Sequence, residues 1–158
     1  MKKFLFIAVL VAASFTGFSQ TSKGTWLLGG GAGFNSVKPS GGSSTTVWNL
    51  SPRIGYFLAN NLAASANISI ADAGAGTETT FGPAVRYYFT NLGSSAKLYG
   101  NAGANFGENV SEFNVAAGVA YFLNSSIALE TAIGYSNESK SKVSSIGLNI
   151  GFQIHFKK

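Results

Sequence analysis

Apolar and polar residues alternate with a period of two along residues 46–58. One face carries large apolar side chains, among them Leu50, Ile54 and Leu58, and the other carries polar or small residues such as Asn49 and Gly55. Successive side chains of a β-strand point to opposite faces of its sheet, so this alternation predicts a strand. It is longer than the usual strand of about 5–6 residues. Such length predicts a strand that spans a membrane.

The end of this strand recurs twice further along the chain. Residues 56–60, 87–91 and 121–124 each place an aromatic pair just before a short polar turn. This spacing predicts a repeated β-hairpin, and amphipathic rings at such positions suit the headgroup level of a bilayer. A soluble β-sandwich whose hairpins end in aromatic residues is the alternative interpretation.

The same alternation predicts eight strands in all, with no helical periodicity between them. Their approximate bounds are 25–35, 46–58, 62–71, 79–89, 97–106, 113–121, 127–135 and 145–156. Short turns are expected at 59–61, 90–96 and 124–126, and longer loops at 36–44, 72–77, 107–111 and 137–141. Strands with one lipid-facing side can satisfy their backbone only by closing. The predicted fold is all-β, an eight-stranded antiparallel up-and-down transmembrane β-barrel.

Prolines and a run of glycines inside the predicted strands need separate interpretation. Pro52 and Pro83 lie inside predicted strands and lack the N–H that a sheet requires, so we expect a bulge or a locally unpaired position at each. The glycines of residues 29–33 resemble a phosphate-binding loop, but no helical pattern follows them. They are interpreted as strand glycines that ease the curvature of a barrel.

The N-terminal residues 1–19 have the composition of a signal peptide. Lys2 and Lys3 precede an apolar core, and small residues lie at the cleavage spacing before Gln20. The apolar run is too short for a transmembrane helix, which needs about 20 residues. We expect cleavage between Ser19 and Gln20, which leaves residues 20–158 as one barrel domain.

Composition narrows the function classes further. Only 11% of the residues are charged, against about 25% in soluble domains. The chain has no Cys, so disulfides, thiolate metal sites and a lipoprotein anchor are excluded. The net charge of +5 includes Lys2 and Lys3 of the signal peptide, and the remainder is too small to indicate nucleic-acid binding.

The signal peptide, the alternating strands and a last strand that ends at Phe156 resemble the eight-stranded outer-membrane barrels of the OmpX and OmpA-transmembrane type. The resemblance covers residues 24–156. It implies a monomer in the outer membrane, in contact with lipid and lipopolysaccharide, that the barrel-assembly machinery inserts. It also implies that the turns and both termini face the periplasm and the loops face outward. Members commonly end on the aromatic residue, whereas Lys157 and Lys158 follow it here.

The charged residues predict that the two ends of the barrel differ chemically, and the aromatic residues predict where it meets the membrane surfaces. The acidic residues are expected in or beside the longer loops, and several lysines at the opposite end: Asp72, Glu78, Glu108, Glu112 and Glu138, against Lys23, Lys97, Lys157 and Lys158. Outward aromatic residues are predicted to form the interfacial girdles. These residues are Trp48, Tyr56, Phe81, Tyr87, Phe89, Phe106, Phe113, Tyr121, Tyr135, Phe152 and Phe156.

Three charged residues are predicted inside the barrel. Arg53, Arg86 and Glu130 lie on strands two, four and seven, so Glu130 is expected to point between the two arginines. A buried charge needs a partner, and we therefore predict a structural ion pair that Glu130 shares with both. A gate or a proton path is the alternative.

No catalytic, cofactor or metal site is predicted. His155 is the single histidine and is expected inside the barrel at the periplasmic end. Lipid A-modifying barrels, which a catalytic interpretation would resemble, need a histidine and a serine near the outer leaflet. A metal site would need further ligands, because the acidic residues of the loops are dispersed.

The sequence favours a structural or surface-interaction role, adhesion-like, through the loops, whose composition names no extracellular partner. A narrow pore is the alternative, because many inward positions are Gly or Ala and fill the interior poorly. Water pockets are expected there more than a continuous channel. A soluble periplasmic carrier of the lipocalin kind is a third option, but nothing in the chain is left to cover its outward apolar faces.

Overall fold

A computed structural model describes residues 20–38, 45–72, 77–108, 110–140 and 142–157. Eight strands follow one another along the chain. They are β1 (Thr25–Lys38), β2 (Thr45–Ala59), β3 (Leu62–Asp72), β4 (Thr77–Leu92), β5 (Ala96–Phe106), β6 (Ser111–Phe122), β7 (Ile127–Glu138) and β8 (Val143–Lys157). The predicted signal peptide, Lys158 and the tips of the two first loops lie outside the described residues.

Antiparallel pairing of each strand with the next closes the sheet. β1 pairs with β2 on one side and with β8 on the other, where Trp26 lies opposite Phe156. The strand order is that of a closed barrel, so the predicted eight-stranded antiparallel fold is confirmed. Several strands extend beyond their predicted ends, and Glu138 of β7 still pairs with Val143 of β8. The backbone ladder continues there although the side chains have become polar.

The two ends of the barrel differ in their connections. Residues 60–61, 93–95 and 123–126 make the short connections, and the end where they lie is called the turn end. The opposite end, where β1–β2, β3–β4, β5–β6 and β7–β8 are joined, is called the loop end. Both described termini of the chain, Gln20 and Lys157, belong to the turn end.

The outer face of the barrel is apolar. Large hydrophobic side chains remain 36–69% exposed along it, which is far more exposed apolar surface than soluble monomers carry. All the aromatic residues predicted for the girdles lie on this face, from Tyr56 at 36% to Phe89 at 60% exposed. One row lies at the turn end, where Trp26 contacts Tyr56 edge to face. A second row, which includes Trp48, lies at the loop end.

No helix among the described ranges has the length and hydropathy of a membrane span.

The two strand prolines each interrupt one ladder. Pro52 lies opposite Gly30 of β1, but the ladder between β2 and β3 is interrupted at this position. Pro83 lies opposite Ala66 of β3 and interrupts the ladder between β4 and β5. The register is the same on either side of both interruptions. The predicted local loss of pairing is confirmed, and neither proline introduces a bulge, because only its missing N–H is lost.

The register shifts lie elsewhere, near the turn end. One falls between Phe57 and Ala59 of β2 and the other between Tyr88 and Thr90 of β4. Phe57 and Tyr88 are buried inside the barrel. A bulge increases local twist and redirects side chains, so each shift lies directly after an inward aromatic residue and before the chain turns.

A close approach between neighbouring strands gives the first prediction. A Cβ atom at Gly118 would lie 2.8 Å from the Tyr99 ring and closer still to the carbonyl oxygen of Thr131, whereas at Gly134 the nearest atom would be 3.6 Å away. We expect Gly118→Ala to lower the free energy of unfolding by about 1–3 kcal/mol. Gly134→Ala should leave it unchanged or raise it slightly, because glycine weakens a strand.

Urea unfolding of the refolded variants in detergent micelles measures this difference. Two variants of equal stability would show that the Tyr99 ring does not require a glycine opposite it.

Candidate functional site

The interior at the turn end is filled by a layer of large buried side chains, most of them aromatic, here called the floor. It consists of Leu27, Phe57, Tyr88, Tyr99, Phe122 and His155, each at most 5% exposed. The rings of Phe57 and Tyr88 stack with centroids 5.9 Å apart, and Phe122 and His155 meet at 5.3 Å. Close-packed side chains of this size leave no passage through an eight-stranded barrel.

Residues 20–24, here called the N-terminal segment, lie across the floor at the turn end. Asn61 donates its backbone N–H to the carbonyl of Thr21 over 2.7 Å, and the ammonium group of Lys97 donates to the Thr21 hydroxyl over 2.8 Å. On the far side, Nδ1 of His155 donates to the carbonyl of Gln20 over 2.6 Å. These partners belong to the β2–β3 turn, β5 and β8, which are spaced around the ring. The segment therefore spans the opening and closes it a second time.

The sequence analysis missed this role of the N-terminal segment. Thr21 is 1% exposed, yet nothing in its sequence context distinguishes it from a polar lead into the first strand. Its burial depends on residues far along the chain, so no local pattern signals it.

A buried ion pair lies directly above the floor. Nη1 of Arg86 lies 2.5 Å from Oε1 of Glu130, and the two side chains are 3% and 5% exposed. Tyr99 and Gln153 donate to the second oxygen of Glu130 over 3.4 and 3.1 Å. The Arg86 guanidinium also lies 4.1 Å from the centroid of the Tyr99 ring. Both charges are thus paired and hydrogen-bonded, which burial of charge requires.

Arg53 does not join this pair. The structure brings Arg86 and Glu130 together, but Arg53 forms no hydrogen bond or ion pair with the described residues, and its Nε has no partner. The predicted bridge from Glu130 to both arginines is therefore wrong in this part. The reason is that Arg86, Tyr99 and Gln153 already occupy both oxygens of Glu130.

A polar cavity of about 390 Å³ extends from the ion pair toward the loop end. Arg53 lines it, with inward asparagines along the wall and acidic residues near the loop end. The asparagines are Asn35, Asn49, Asn67, Asn101, Asn105, Asn114 and Asn149, and the acidic residues are Glu78, Glu112 and Glu138. Asn67 donates to Asn105, which donates to Glu112, over 3.0 and 2.9 Å. The many inward Gly and Ala residues leave this space, as the sequence predicted, and the floor separates it from the turn end.

His155 lies inside the barrel at the turn end, where the sequence placed it. Its ring packs against Phe57 and Phe122 and bonds to Gln20, so its contacts belong to the floor. Among the described residues, no group of three or more His, Asp or Glu side chains is placed to hold a metal ion.

Comparisons with known proteins place the fold. No family model matches the sequence, and no curated protein matches it either. Among solved structures, Neisserial surface protein A superposes with a TM-score of 0.70 at 18% identity, over 85% of this chain and 100% of that one. Ail, the attachment invasion locus protein of Yersinia pestis, superposes at 0.60 and 11% identity, over 85% and 99%.

The outer membrane protein OprG from Pseudomonas aeruginosa gives a TM-score of 0.54 at 17% identity, over 89% of this chain and 100% of that one. The chain has the fold of the small eight-stranded outer-membrane barrels. The resemblance seen in the sequence is confirmed at this level. Identities this low establish the barrel fold alone, so what each of these proteins does is not transferred with it.

The different surroundings of the two arginines give the second prediction. Glu130→Ala leaves Arg86 buried without its partner and should lower the free energy of unfolding by about 3–5 kcal/mol. Arg86→Ala should cost less, because Tyr99 and Gln153 still donate to Glu130. Arg53→Ala should cost least, because Arg53 has no bond to lose.

Urea unfolding in lipid or detergent, together with the heat shift as a check on folding, ranks the three variants. A loss for Arg53→Ala as large as that for Glu130→Ala would mean that Arg53 stabilises the buried carboxylate after all.

Proposed function

We propose that this protein is a monomer of the outer membrane with a structural or surface-interaction role, exercised through its loop end. The observation that carries the proposal is the combination of a closed barrel and a predominantly apolar outer face with two rows of aromatic residues. A bilayer satisfies such a face, while closure satisfies the backbone. A soluble carrier would need this face to be covered, and nothing among the described residues covers it.

The charges support an orientation for the proposed membrane protein. Glu78, Glu112 and Glu138 lie toward the loop end, together with Lys140 and Lys142. Lys23, Lys97 and Lys157 lie at the turn end, whose described connections carry no acidic residue. Short turns and both termini of small barrels face the periplasm. The loop end would then face the outside, where lipopolysaccharide and any extracellular partner are met.

The position of Gln20 supports removal of residues 1–19. Gln20 and Thr21 are bonded into the floor, so cleavage before Gln20 would leave the new N-terminus at the turn end, on the side where secreted chains arrive. The last strand, which ends in Phe156 and Lys157, would be read by the assembly machinery during insertion.

The floor and the N-terminal segment argue against the narrow pore. An adhesion-like role is therefore preferred, with the loop end as the surface that meets a partner. Ail, whose fold this chain shares, is described as an attachment invasion locus protein, which supports the choice by analogy of fold only.

Membrane residence is tested by fractionating cells that express the full chain. We expect the protein in the outer-membrane fraction, beginning at Gln20 and migrating faster unboiled than boiled, because a closed barrel resists detergent until heated. A soluble periplasmic band without a heat shift would overturn the proposal.

The closed floor predicts the absence of conduction. The purified barrel in a planar bilayer should give no stable single-channel steps, because Phe57, Tyr88 and Phe122 fill the turn end beneath the cavity. Reproducible steps of one size from pure protein would favour the pore instead. A refolded porin recorded in the same bilayers serves as the positive control.

A further inference from the structure

An open groove lies on the outer face of the barrel near the loop end. Its volume is about 360 Å³, and its large lining side chains are the apolar residues Phe34, Ile133, Ile146 and Leu148. Phe34 is 69% exposed, the highest fraction among the large hydrophobic side chains of the described residues. Its ring therefore stands out from the wall and forms one side of the groove. A hydrocarbon chain lying there gains more contacts than on a smooth wall.

Polar side chains lie directly beyond the groove, on its side toward the loop end. The hydroxyl oxygens of Tyr135 and Ser144 are 3.2 Å apart, and the Asn137 amide donates to the Ser144 hydroxyl over 3.0 Å. Ser144 comes two residues before Ile146 on β8, and residues two apart share one face of a strand. The outer face thus changes from apolar to polar within about 7 Å, as a lipid does between its acyl chain and its headgroup.

Lysines follow these polar side chains in the β7–β8 connection. Lys140 and Lys142 are exposed, and Lys142 lies two residues before Ser144. The neighbouring strand β1 also ends in a lysine, Lys38, whose backbone lies opposite Ser144. Along the barrel axis the order is therefore an apolar groove, hydroxyl and amide groups, and then cations.

The acidic residues of the loop end are concentrated elsewhere on the ring. Residues 36–48 and 139–150 contain none, and Glu138, the last residue of β7, lines the cavity inside the barrel. Three lysines and one acidic residue leave this sector with a net charge of about +2, whichever partner Glu138 has. The other acidic residues of the loop end belong to β3, β4, β6 and the β5–β6 connection: Asp72, Glu78, Glu112 and Glu108.

We propose that this sector binds one lipid of the outer leaflet that carries an anionic phosphate headgroup. One acyl chain lies in the groove, and Lys140 and Lys142 attract the phosphate, which lysine binds as a point charge. The hydroxyl groups of Tyr135 and Ser144 lie between the two, at the level of the ester linkages. The inference rests on the proposed membrane residence and orientation, and it assigns one lipid to one place on the barrel.

The test compares two lipids with identical acyl chains. Phosphatidylglycerol has a net negative headgroup, whereas the choline of phosphatidylcholine neutralises its phosphate. Native mass spectrometry of the refolded mature barrel, residues 20–158, released from detergent micelles counts the lipids that stay bound. One phosphatidylglycerol should bind saturably, and phosphatidylcholine should bind at least about tenfold more weakly, because the lysines attract only the anionic headgroup.

Lysine variants locate the headgroup. Lys140→Gln combined with Lys142→Gln should weaken phosphatidylglycerol binding by at least about tenfold and leave phosphatidylcholine binding unaltered. Lys23→Gln combined with Lys157→Gln makes the same change in charge on two exposed residues of the turn end. This control should leave the binding of both lipids unaltered.

Phenylalanine variants locate the acyl chain. Phe34→Ala removes one side of the groove and should weaken both lipids by about threefold or more, because apolar contact is lost. Phe81→Ala makes the same change on the outer face of β4, away from the groove, and should alter neither affinity. If Phe34→Ala does not fold, as judged by the heat shift, Ile146→Ala in the same groove takes its place.

Several results would overturn the inference. These are the absence of saturable phosphatidylglycerol binding, equal affinity for the two lipids, wild-type affinity of the folded Lys140 and Lys142 double variant, or equal effects of Phe34→Ala and Phe81→Ala. Displacement of phosphatidylglycerol by a tenfold excess of inorganic phosphate would also overturn it, because the groove would then contribute nothing. Any of these results from a barrel that resides in the outer membrane and shows the heat shift would leave the proposed function standing.

Discussion

The pairing of β1 with β8 is the interaction on which the rest of the structure depends. It leaves no free strand edge, so the backbone groups find partners within the sheet and the outer face can be predominantly apolar. Closure at eight strands also fixes the interior to a width that side chains can fill. Whether the interior is packed or hollow at a given height along the barrel axis then depends on which side chains point inward there.

The inward residues divide the interior into two parts. At the turn end they are large, as with Phe57, Tyr88 and Phe122, and they pack into the floor. Toward the loop end they are glycines, alanines and asparagines, which are too small to meet across the barrel and leave the cavity. The ion pair of Arg86 and Glu130 lies at the boundary, where the floor shields it from water and supplies the Tyr99 hydroxyl. The interior is therefore closed at one end by packing, not by a movable element.

The strands and the direction of their side chains could be predicted from the sequence, because alternation with a period of two is a property of neighbouring residues. It does not encode which polar atoms meet across the interior. The convergence of Arg86 and Glu130 followed from the strand order, but the competition among donors for Glu130, which excludes Arg53, depends on side-chain geometry. The burial of Thr21 was not predictable for a similar reason, since its partners lie on distant strands. The positions of the bulges after Phe57 and Tyr88 likewise depend on packing that no short pattern shows.

Arg53 and Arg86 show how burial alone separates two identical side chains. Arg86 is 2% exposed, and at that depth a charge without a partner would cost several kcal/mol, so the pairing with Glu130 stabilises the fold. Arg53 borders the cavity and has no hydrogen bond or ion pair with the described residues, so its removal leaves no carboxylate without a partner. The same closed ring that places Glu130 beside Arg86 beneath the cavity thus leaves Arg53 at the cavity wall, outside the ion pair.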